Sequence, residues 1–198
     1  MQPPSPLRLL ALLLLAATLT ACATGSAAPP LPPAPQPPAA ADCLTQAPKP
    51  PAHPQRVKVG RVVDGDTVEL ADTAKTKVRI LGINTPESVD PRRPVQPYGK
   101  EASAFTRQLL AGKTVLLQPG RQPHDRYGRL LAWIWLPDGP FVNAYLVQQG
   151  YAQVDTFPDN PNHAELLLAC QREARAANRG LWALPAYKDG EEAAKMNR

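Results

Sequence analysis

Proline is so dense between Ala23 and Pro54 that this stretch cannot form a helix or a sheet. Its centre, APPLPPAPQPP, offers few backbone N–H groups and fixes φ at most positions. A proline-rich segment of this kind is extended and semi-rigid, which suits a spacer. The fold must therefore be built from about Gln55 onward. A disordered tail without a role is the alternative for the stretch itself.

The residues before the spacer have the pattern of a secretory signal. Arg8 supplies a positive charge, and Leu9 to Leu15 form an apolar run that is too short to span a bilayer as a helix. The signal ends in Leu19-Thr20-Ala21-Cys22, which resembles a bacterial lipobox, where cleavage precedes a diacylated cysteine. We predict lipidation of Cys22; an ordinary cleavage site beside a free thiol is the alternative.

The chain contains three cysteines, Cys22, Cys43 and Cys170. With Cys22 acylated, the other two make an even pair in an oxidising compartment. A bond between Cys43, at the end of the spacer, and Cys170, in a predicted helix, would staple the incoming segment to the domain. We predict this disulfide. Two unrelated thiols are the alternative, since sequence does not supply the geometry that a bridge requires.

Strand signals follow one another quickly after the spacer. RVKVGRVV alternates polar and apolar residues, DTVELA follows the turn dipeptide Asp64-Gly65, and KVRILGI predicts a third strand that ends at Ile83. TVLLQP and RLLAWIWL predict two more strands. Helical spacing predicts helices over Tyr98–Ala111, over FVNAYLVQQG, and over Asn162–Asn178.

This order of elements predicts a mainly β fold with helices, of the α+β class. A five-stranded Greek-key barrel of the oligonucleotide-binding (OB) type, closed by helices, fits the order best. A plain α+β sheet is the alternative. The net charge of +5 and the pI of about 9.3 permit a polyanionic partner such as nucleic acid, or an anionic membrane surface.

The candidate functional residues of the domain are oxygen ligands and arginines. The histidines are scattered and no glycine-rich phosphate loop is present, which argues against a histidine metal site or a Ser-His-Asp triad. Asp64 and Asp66 flank Gly65 at a turn, a spacing that suits a hard cation such as calcium. A simple hairpin turn is the alternative.

Two arginines occupy apolar strands. Arg79 lies within KVRILGI and Arg129 begins the apolar run after DRYG. A buried charge without a partner costs several kcal/mol, so each must face a polar site or a carboxylate. Guanidinium groups bind phosphate oxygens in a bidentate manner, which favours phosphodiester chemistry. Two structural ion pairs are the alternative.

Four segments, VVDGDTVEL, VRILGINTPES, YGKEASAFT and DRYGRLLAWIW, resemble successive signature segments of the staphylococcal nuclease (thermonuclease) family. The resemblance runs from about Val57 to Trp182. It implies an OB barrel with three helices. It also implies calcium-dependent hydrolysis of DNA and RNA that leaves 3′-phosphates. We expect a monomer.

The resemblance also implies roles for single residues. For calcium, Asp66 would be the direct carboxylate ligand, with Asp64 behind it, and Thr85 would offer its backbone carbonyl. Asn84 stands where the family pattern usually has an aspartate ligand. An amide still supplies an oxygen but lacks the charge, which predicts weaker calcium binding.

For catalysis, the resemblance implies that Glu87 orients or deprotonates the attacking water and that Arg79 and Arg129 bind the scissile phosphate. Tyr127 would contact the phosphate from the pocket wall. The remaining substrate-binding candidates are peripheral. Arg92 and Arg93 match a basic loop, for which a solvated charged loop is the alternative. Phe157 is the one aromatic near the base-stacking position, and Pro158 breaks the family pattern there.

We therefore predict a signal peptide over 1–21, a lipidated cysteine and tether over 22–54, a nuclease domain over 55–185 and a charged tail over 186–198. The protein would be extracytoplasmic and anchored by lipid to the bacterial envelope, on the outer-membrane side, or secreted if the lipobox is not used. A non-catalytic nucleic-acid-binding OB module on an envelope lipoprotein is the alternative function. An envelope lipoprotein that binds peptide or glycan is a third.

Overall fold

The five longest strands that the structure describes close into a barrel. The structure is a computed structural model, and it describes residues 43–90 and 94–188. Its strands are β1 (Gln55–Asp64), β2 (Thr67–Leu70), β3 (Lys77–Ile80), β4 (Ile83–Asn84), β5 (Thr114–His124), β6 (Leu130–Trp135) and β7 (Gln153–Val154). The barrel order is β1-β2-β3-β6-β5, with β5 pairing back to β1. This architecture confirms the predicted OB-type barrel of the α+β class.

Neighbouring barrel strands are antiparallel except for one pair. Strands β3 and β6 run parallel, with Arg79 opposite Leu131. Apolar side chains fill the interior from every strand, among them Val59, Val68, Val78 and Ile134, which are fully buried. The pairing of β1 with β2 contains two register shifts. The strand bends at these points, which lets it pair with β2 along one edge and with β5 along the other.

In the described residues, four helices and two short 3₁₀ helices lie outside the barrel strands. They are α1 (Gly99–Leu110), α2 (Val142–Gln148), α3 (Ala164–Ala176) and the one-turn α4 (Pro185–Lys188), with short 3₁₀ helices over Cys43–Gln46 and Gly180–Ala183. The first three match the predicted helices. None of the helices within the described residues has the length and apolar character to cross a membrane.

Helix α1 is held on the barrel by one apolar face. Ala102, Phe105 and Leu109 recur at helical spacing and are buried, and the Phe105 ring stacks on Tyr151 at 3.9 Å between centroids. The same helix carries the buried polar residues Ser103 and Thr106. Packing of the apolar face therefore brings two hydroxyl groups toward the end of β1.

The predicted strand from Lys77 to Ile83 is interrupted at Gly82. This residue has φ of 75°, in the left-handed region that glycine adopts without strain. The chain leaves the barrel there, and the short strand β4 pairs with β7 instead of β6. The prediction of one continuous strand was wrong at this point, because the left-handed turn at Gly82 carries Asn84 away from the barrel wall.

The segment before β1 packs against the barrel. Cys43 and Cys170 are joined by a disulfide with a Cα–Cα distance of 5.2 Å, which ties the first 3₁₀ helix to α3. The indole Nε1–H of Trp135 donates a hydrogen bond of 2.7 Å to the carbonyl oxygen of Pro48. Part of the stretch assigned to the tether, residues 43–54, thus lies on the folded unit.

Candidate functional site

A polar cleft of about 530 Å³ lies where the turn after β1, the end of β4 and the loop before β6 meet. It gathers most of the residues singled out in the sequence, namely Asp64, Asp66, Arg79, Asn84, Thr85, Glu87, Tyr127 and Arg129. A second cavity of about 660 Å³ lies between the N-terminal segment and β6, with Leu44, Pro48 and Phe141 among its walls. The second cavity lacks this set of carboxylates and arginines, so the chemistry lies in the polar cleft.

Asp66 is the carboxylate that ties the cleft together. Its Oδ2 accepts hydrogen bonds from the backbone N–H of Thr85 at 2.9 Å and from the Thr85 hydroxyl at 3.2 Å. Its Oδ1 accepts a bond of 2.9 Å from the Thr67 hydroxyl. These bonds hold the start of β2 against the end of β4, so that Asp66 and Thr85 lie side by side.

Gly65 permits this close approach. A Cβ atom at this position would lie 2.7 Å from the Thr85 hydroxyl oxygen and 2.9 Å from the Thr85 Cβ. The Gly65 carbonyl accepts a 2.7 Å bond from the buried Thr106 hydroxyl on α1. The glycine between the two aspartates is therefore required by packing, beyond its value in a turn.

Asp64 lies behind Asp66 in a network of hydroxyl groups. Its Oδ1 accepts bonds from Ser88 at 2.6 Å, Ser103 at 2.7 Å and the Gly65 N–H at 2.8 Å. Burial, followed by repulsion from Asp66, raises the pKa of Asp64, while these three donors act in the opposite direction. This network connects the β1 turn to α1 and to the residue after Glu87.

Arg79 is buried and braced by backbone oxygens. Its Nη1 donates to the carbonyl oxygens of Ile80 at 3.0 Å and Ile83 at 2.7 Å and lies 3.2 Å from Asp66 Oδ2. Its Nη2 donates to Asn84 Oδ1 at 3.2 Å. Two backbone carbonyls and two side chains thus fix the orientation of the guanidinium at the cleft, as preorganised charge stabilisation requires.

Arg129 reaches the cleft from a different element, the loop before β6. Its Nε donates a 2.6 Å bond to Asp125 Oδ2, and its side chain is 29% exposed. Burial alone raises the pKa of Asp125, but bonds and charge from Arg129 and the Tyr127 N–H hold that pKa below its ordinary value. The ring of Tyr127, which is 67% exposed, lies 5.5 Å from the Arg129 guanidinium.

Glu87 begins the loop at the rim of the cleft. Its Oε1 accepts three backbone N–H bonds, from Ser88 at 2.9 Å, Val89 at 2.8 Å and Asp90 at 3.0 Å. Gln96 closes the loop, since its Oε1 accepts from the Glu87 N–H at 2.7 Å and its own N–H donates to the Glu87 carbonyl at 2.9 Å. Three backbone N–H groups therefore hold this carboxylate oxygen in place.

The structure does not test two of the substrate-binding candidates or the lipidation site, and it places a third candidate, Phe157, outside the cleft. Arg92, Arg93 and Cys22 fall outside the described residues, so their roles stay predictions. Phe157 does not line the polar cleft and packs, partly buried, against the hydrophobic core. Its assignment to base stacking receives no support from its position.

Comparison with known proteins places the chain in a family. A family model described as "Staphylococcal nuclease homologue" matches residues 77–184, which is more than half of the 198-residue chain. The chain belongs to the staphylococcal nuclease family.

Relatives from two bacterial genera agree with this assignment. A thermonuclease of Staphylococcus intermedius is 42% identical over 125 residues, or 63% of this chain and 74% of the relative. A thermonuclease of Staphylococcus hyicus is 40% identical over 132 residues, or 66% of this chain and 78% of the relative. An uncharacterized endonuclease of Escherichia coli O157:H7 is 38% identical over 130 residues, or 63% and 75% respectively.

The cleft of this staphylococcal nuclease homologue offers donors that fit a hard cation. Asp66, Asn84 and Thr85 line the cleft, and their carboxylate, amide and backbone carbonyl oxygens are of the ligand type that calcium prefers. Only one of the three carries a formal charge. Within residues 43–90 and 94–188, no three His, Cys, Asp or Glu side chains form a group that could hold a metal. The donor set therefore fits calcium in type but is low in negative charge.

Several residues that support the site could not be found from the sequence. Ser103, Thr106, Gln96 and Asp125 contact the residues described above, yet each is an ordinary polar residue in a helix or a loop. For Asp125 alone a local signal existed, because Asp125 and Arg129 are spaced to meet across a tight loop in DRYGR.

Proposed function

We propose that this chain is a calcium-dependent nuclease that hydrolyses the phosphodiester bonds of DNA and RNA and leaves 3′-phosphates. The observation that carries the proposal is one cleft that holds Arg79 and Arg129 together with Asp66 and Glu87. The nuclease names of the relatives support the class of reaction. The net charge of +5 is compatible with a polyanionic substrate.

The arginines would bind the substrate and stabilise charge. Arg79 and Arg129 enter the cleft from β3 and from the loop before β6, so their guanidinium groups can bind different oxygens of one phosphate. As the phosphorus gains an oxygen ligand, negative charge grows on these oxygens. Fixed donors favour that state over the ground state because they need no reorganisation.

Glu87 would orient the attacking water and accept its proton. Its Oε1 is fixed by three backbone N–H groups, so the direction of the carboxylate is set before substrate arrives. The oxygen of the water joins phosphorus while the bond from phosphorus to the 5′ oxygen breaks, and the departing 5′ oxygen takes up a proton from solvent, which leaves a 3′-phosphate and a 5′-hydroxyl. Asp66, Asn84 and Thr85 would hold calcium, which when bound neutralises charge on the phosphate and favours ionisation of water.

Chelation tests this proposal on the full chain. Plasmid DNA and single-stranded RNA are incubated with millimolar calcium, and then with calcium and excess EGTA. We expect cleavage with calcium, products that lose a terminal phosphate when treated with a 3′-phosphatase, and loss of cleavage with EGTA.

The matched control for this test is Glu87→Gln, which keeps the shape of the side chain and removes the base. We expect this variant to bind DNA and to cleave it poorly. Binding that weakens with salt, without cleavage by the wild-type chain at any calcium concentration, would instead support a nucleic-acid-binding module.

Asn84→Asp is expected to lower the calcium concentration for half-maximal activity by roughly 3- to 10-fold, because calcium affinity follows the charge of the ligands. Asn84 lines the cleft and accepts a bond from Arg79, so the new carboxylate would lie beside Asp66 and Thr85. Calcium titrations of the initial rate measure the effect. Asn162→Asp, which adds the same charge at an exposed position, is the control. An equal or greater calcium requirement in Asn84→Asp would exclude Asn84 as a ligand position.

A further inference from the structure

Asp155 is a half-buried carboxylate on the strand pair that carries Asn84. In the β4–β7 pair, Asn84 lies opposite Gln153 and Ile83 lies opposite Val154. The pairing continues one residue further, since the Asp155 N–H donates a 3.0 Å bond to the Gly82 carbonyl. Side chains alternate along a strand, so Asp155 shares a face of this ribbon with Gln153 and hence with Asn84.

This placement puts Asp155 on the same face of the ribbon as Asn84, which lines the cleft, although Asp155 is not itself a lining residue. Its carboxylate interacts electrostatically with both Arg79 and Asp66. Burial raises the pKa of Asp155, the positive charge of Arg79 lowers it, and the negative charge of Asp66 raises it. Asp155 does not line the cleft, so we expect it to act through its charge and not as a ligand of a bound ion.

The charges at the cleft explain why a nearby carboxylate such as Asp155 would affect the binding of a divalent cation. Asp66 is the one charged group among the three donors named for calcium, and it already faces the Arg79 guanidinium at 3.2 Å. The two side chains are 7% and 8% exposed, so water screens their charges poorly. The Asp66–Arg79 pair itself therefore adds no net negative charge for a divalent cation, and the cleft carboxylates Asp64 and Glu87 are engaged by hydrogen bonds of their own.

We propose that Asp155 is a positioning residue that offsets the positive charge of Arg79 and so leaves Asp66 available to a divalent cation. The inference rests on the proposed calcium dependence and deepens it. It assigns to Asp155 the negative charge that Asn84 and Thr85 do not supply.

Calorimetric titration of the full chain with calcium chloride, without nucleic acid, tests the proposal. Asp155→Asn keeps the size of the side chain and removes its charge, and we expect the Kd for calcium to rise by on the order of 10-fold, the lower end of the usual loss for residues that support a metal site. Asp159→Asn removes the same charge from an exposed position of the next loop and should leave Kd unchanged. Asp155→Glu should retain most of the affinity.

Moving the negative charge from position 155 to position 84 tests whether Asp155 acts through its charge or through its part in the fold. The double variant Asn84→Asp/Asp155→Asn should recover calcium affinity relative to Asp155→Asn, since the site regains one negative charge. Thermal unfolding in EGTA establishes that each variant is folded. An unchanged Kd in Asp155→Asn, or a double variant no better than Asp155→Asn, overturns the inference and leaves the proposed function intact. A wild-type chain that binds no calcium overturns both.

Discussion

Arg129→Ala is expected to lower kcat for DNA cleavage by on the order of 10²- to 10³-fold, the usual loss for one preorganised donor, with little change in stability. The guanidinium reaches the cleft from a loop, and its side chain is 29% exposed beside Asp125. A partly exposed ion pair contributes at most about 1 kcal/mol to folding. The loss therefore falls on the transition state. Initial rates over a range of substrate concentration separate kcat from KM.

Arg79→Ala is expected to lower kcat as strongly and also to weaken the fold. Removing Arg79 leaves the Asp66 carboxylate, 8% exposed, without its cation, and takes away the guanidinium donor of two backbone carbonyls. Breaking a buried pair in this way costs about 3–5 kcal/mol. Both arginines are proposed to bind the scissile phosphate, so the two alanine variants should have similarly low kcat. Their free energies of unfolding in urea should differ, with Arg79→Ala the less stable.

The matched control for both arginines is Arg61→Ala. Arg61 makes a two-bond pair with Glu69 at 3.1 and 2.8 Å, lies outside the cleft, and has a side chain that is 61% exposed. Its loss should change neither kcat nor stability appreciably. If Arg129→Ala retains as much kcat as Arg61→Ala, the assignment of Arg129 to the phosphate is wrong.

The sequence located the centre of the site because charge in an apolar strand has few uses. Arg79 within KVRILGI must find a partner, and the cleft with Asp66 provides it. Asp64 and Asp66 could also be identified from the sequence, since paired carboxylates at a turn have a recognisable spacing. These residues carry their signal in the strand or turn that contains them.

The parts of the site that sequence did not reveal depend on contacts between distant elements. Ser103 is 39 residues from Asp64 and Thr106 is 41 residues from Gly65, and on their own helix they are only polar residues in an apolar pattern. Asp155 becomes relevant only because Gly82 turns the chain out of the barrel, which lets β4 pair with β7. In the sequence, neither the break at Gly82 nor the pairing of β4 with β7 is marked as clearly as a strand is marked by alternating polar and apolar residues.

Reduction of the Cys43–Cys170 disulfide is expected to lower the free energy of unfolding by about 2–4 kcal/mol, because the bridge closes a long loop and restricts the unfolded chain. The two residues are separated by 127 positions, and both are buried. The bridge also ties the first 3₁₀ helix to α3, next to the Pro48–Trp135 hydrogen bond. Urea unfolding with and without a reducing agent measures the difference.

The double variant Cys43→Ser/Cys170→Ser should show the same loss and should no longer respond to the reducing agent. Cys22→Ser is the control, because it removes a cysteine outside the described residues and should leave the response intact. Alkylation of the unfolded, non-reduced chain should add no mass at Cys43 or Cys170. Alkylation at both would show that the thiols are free. The early segment would then be held by noncovalent contacts such as the Trp135 hydrogen bond, and we would expect it to detach from the barrel at lower urea than the strands themselves.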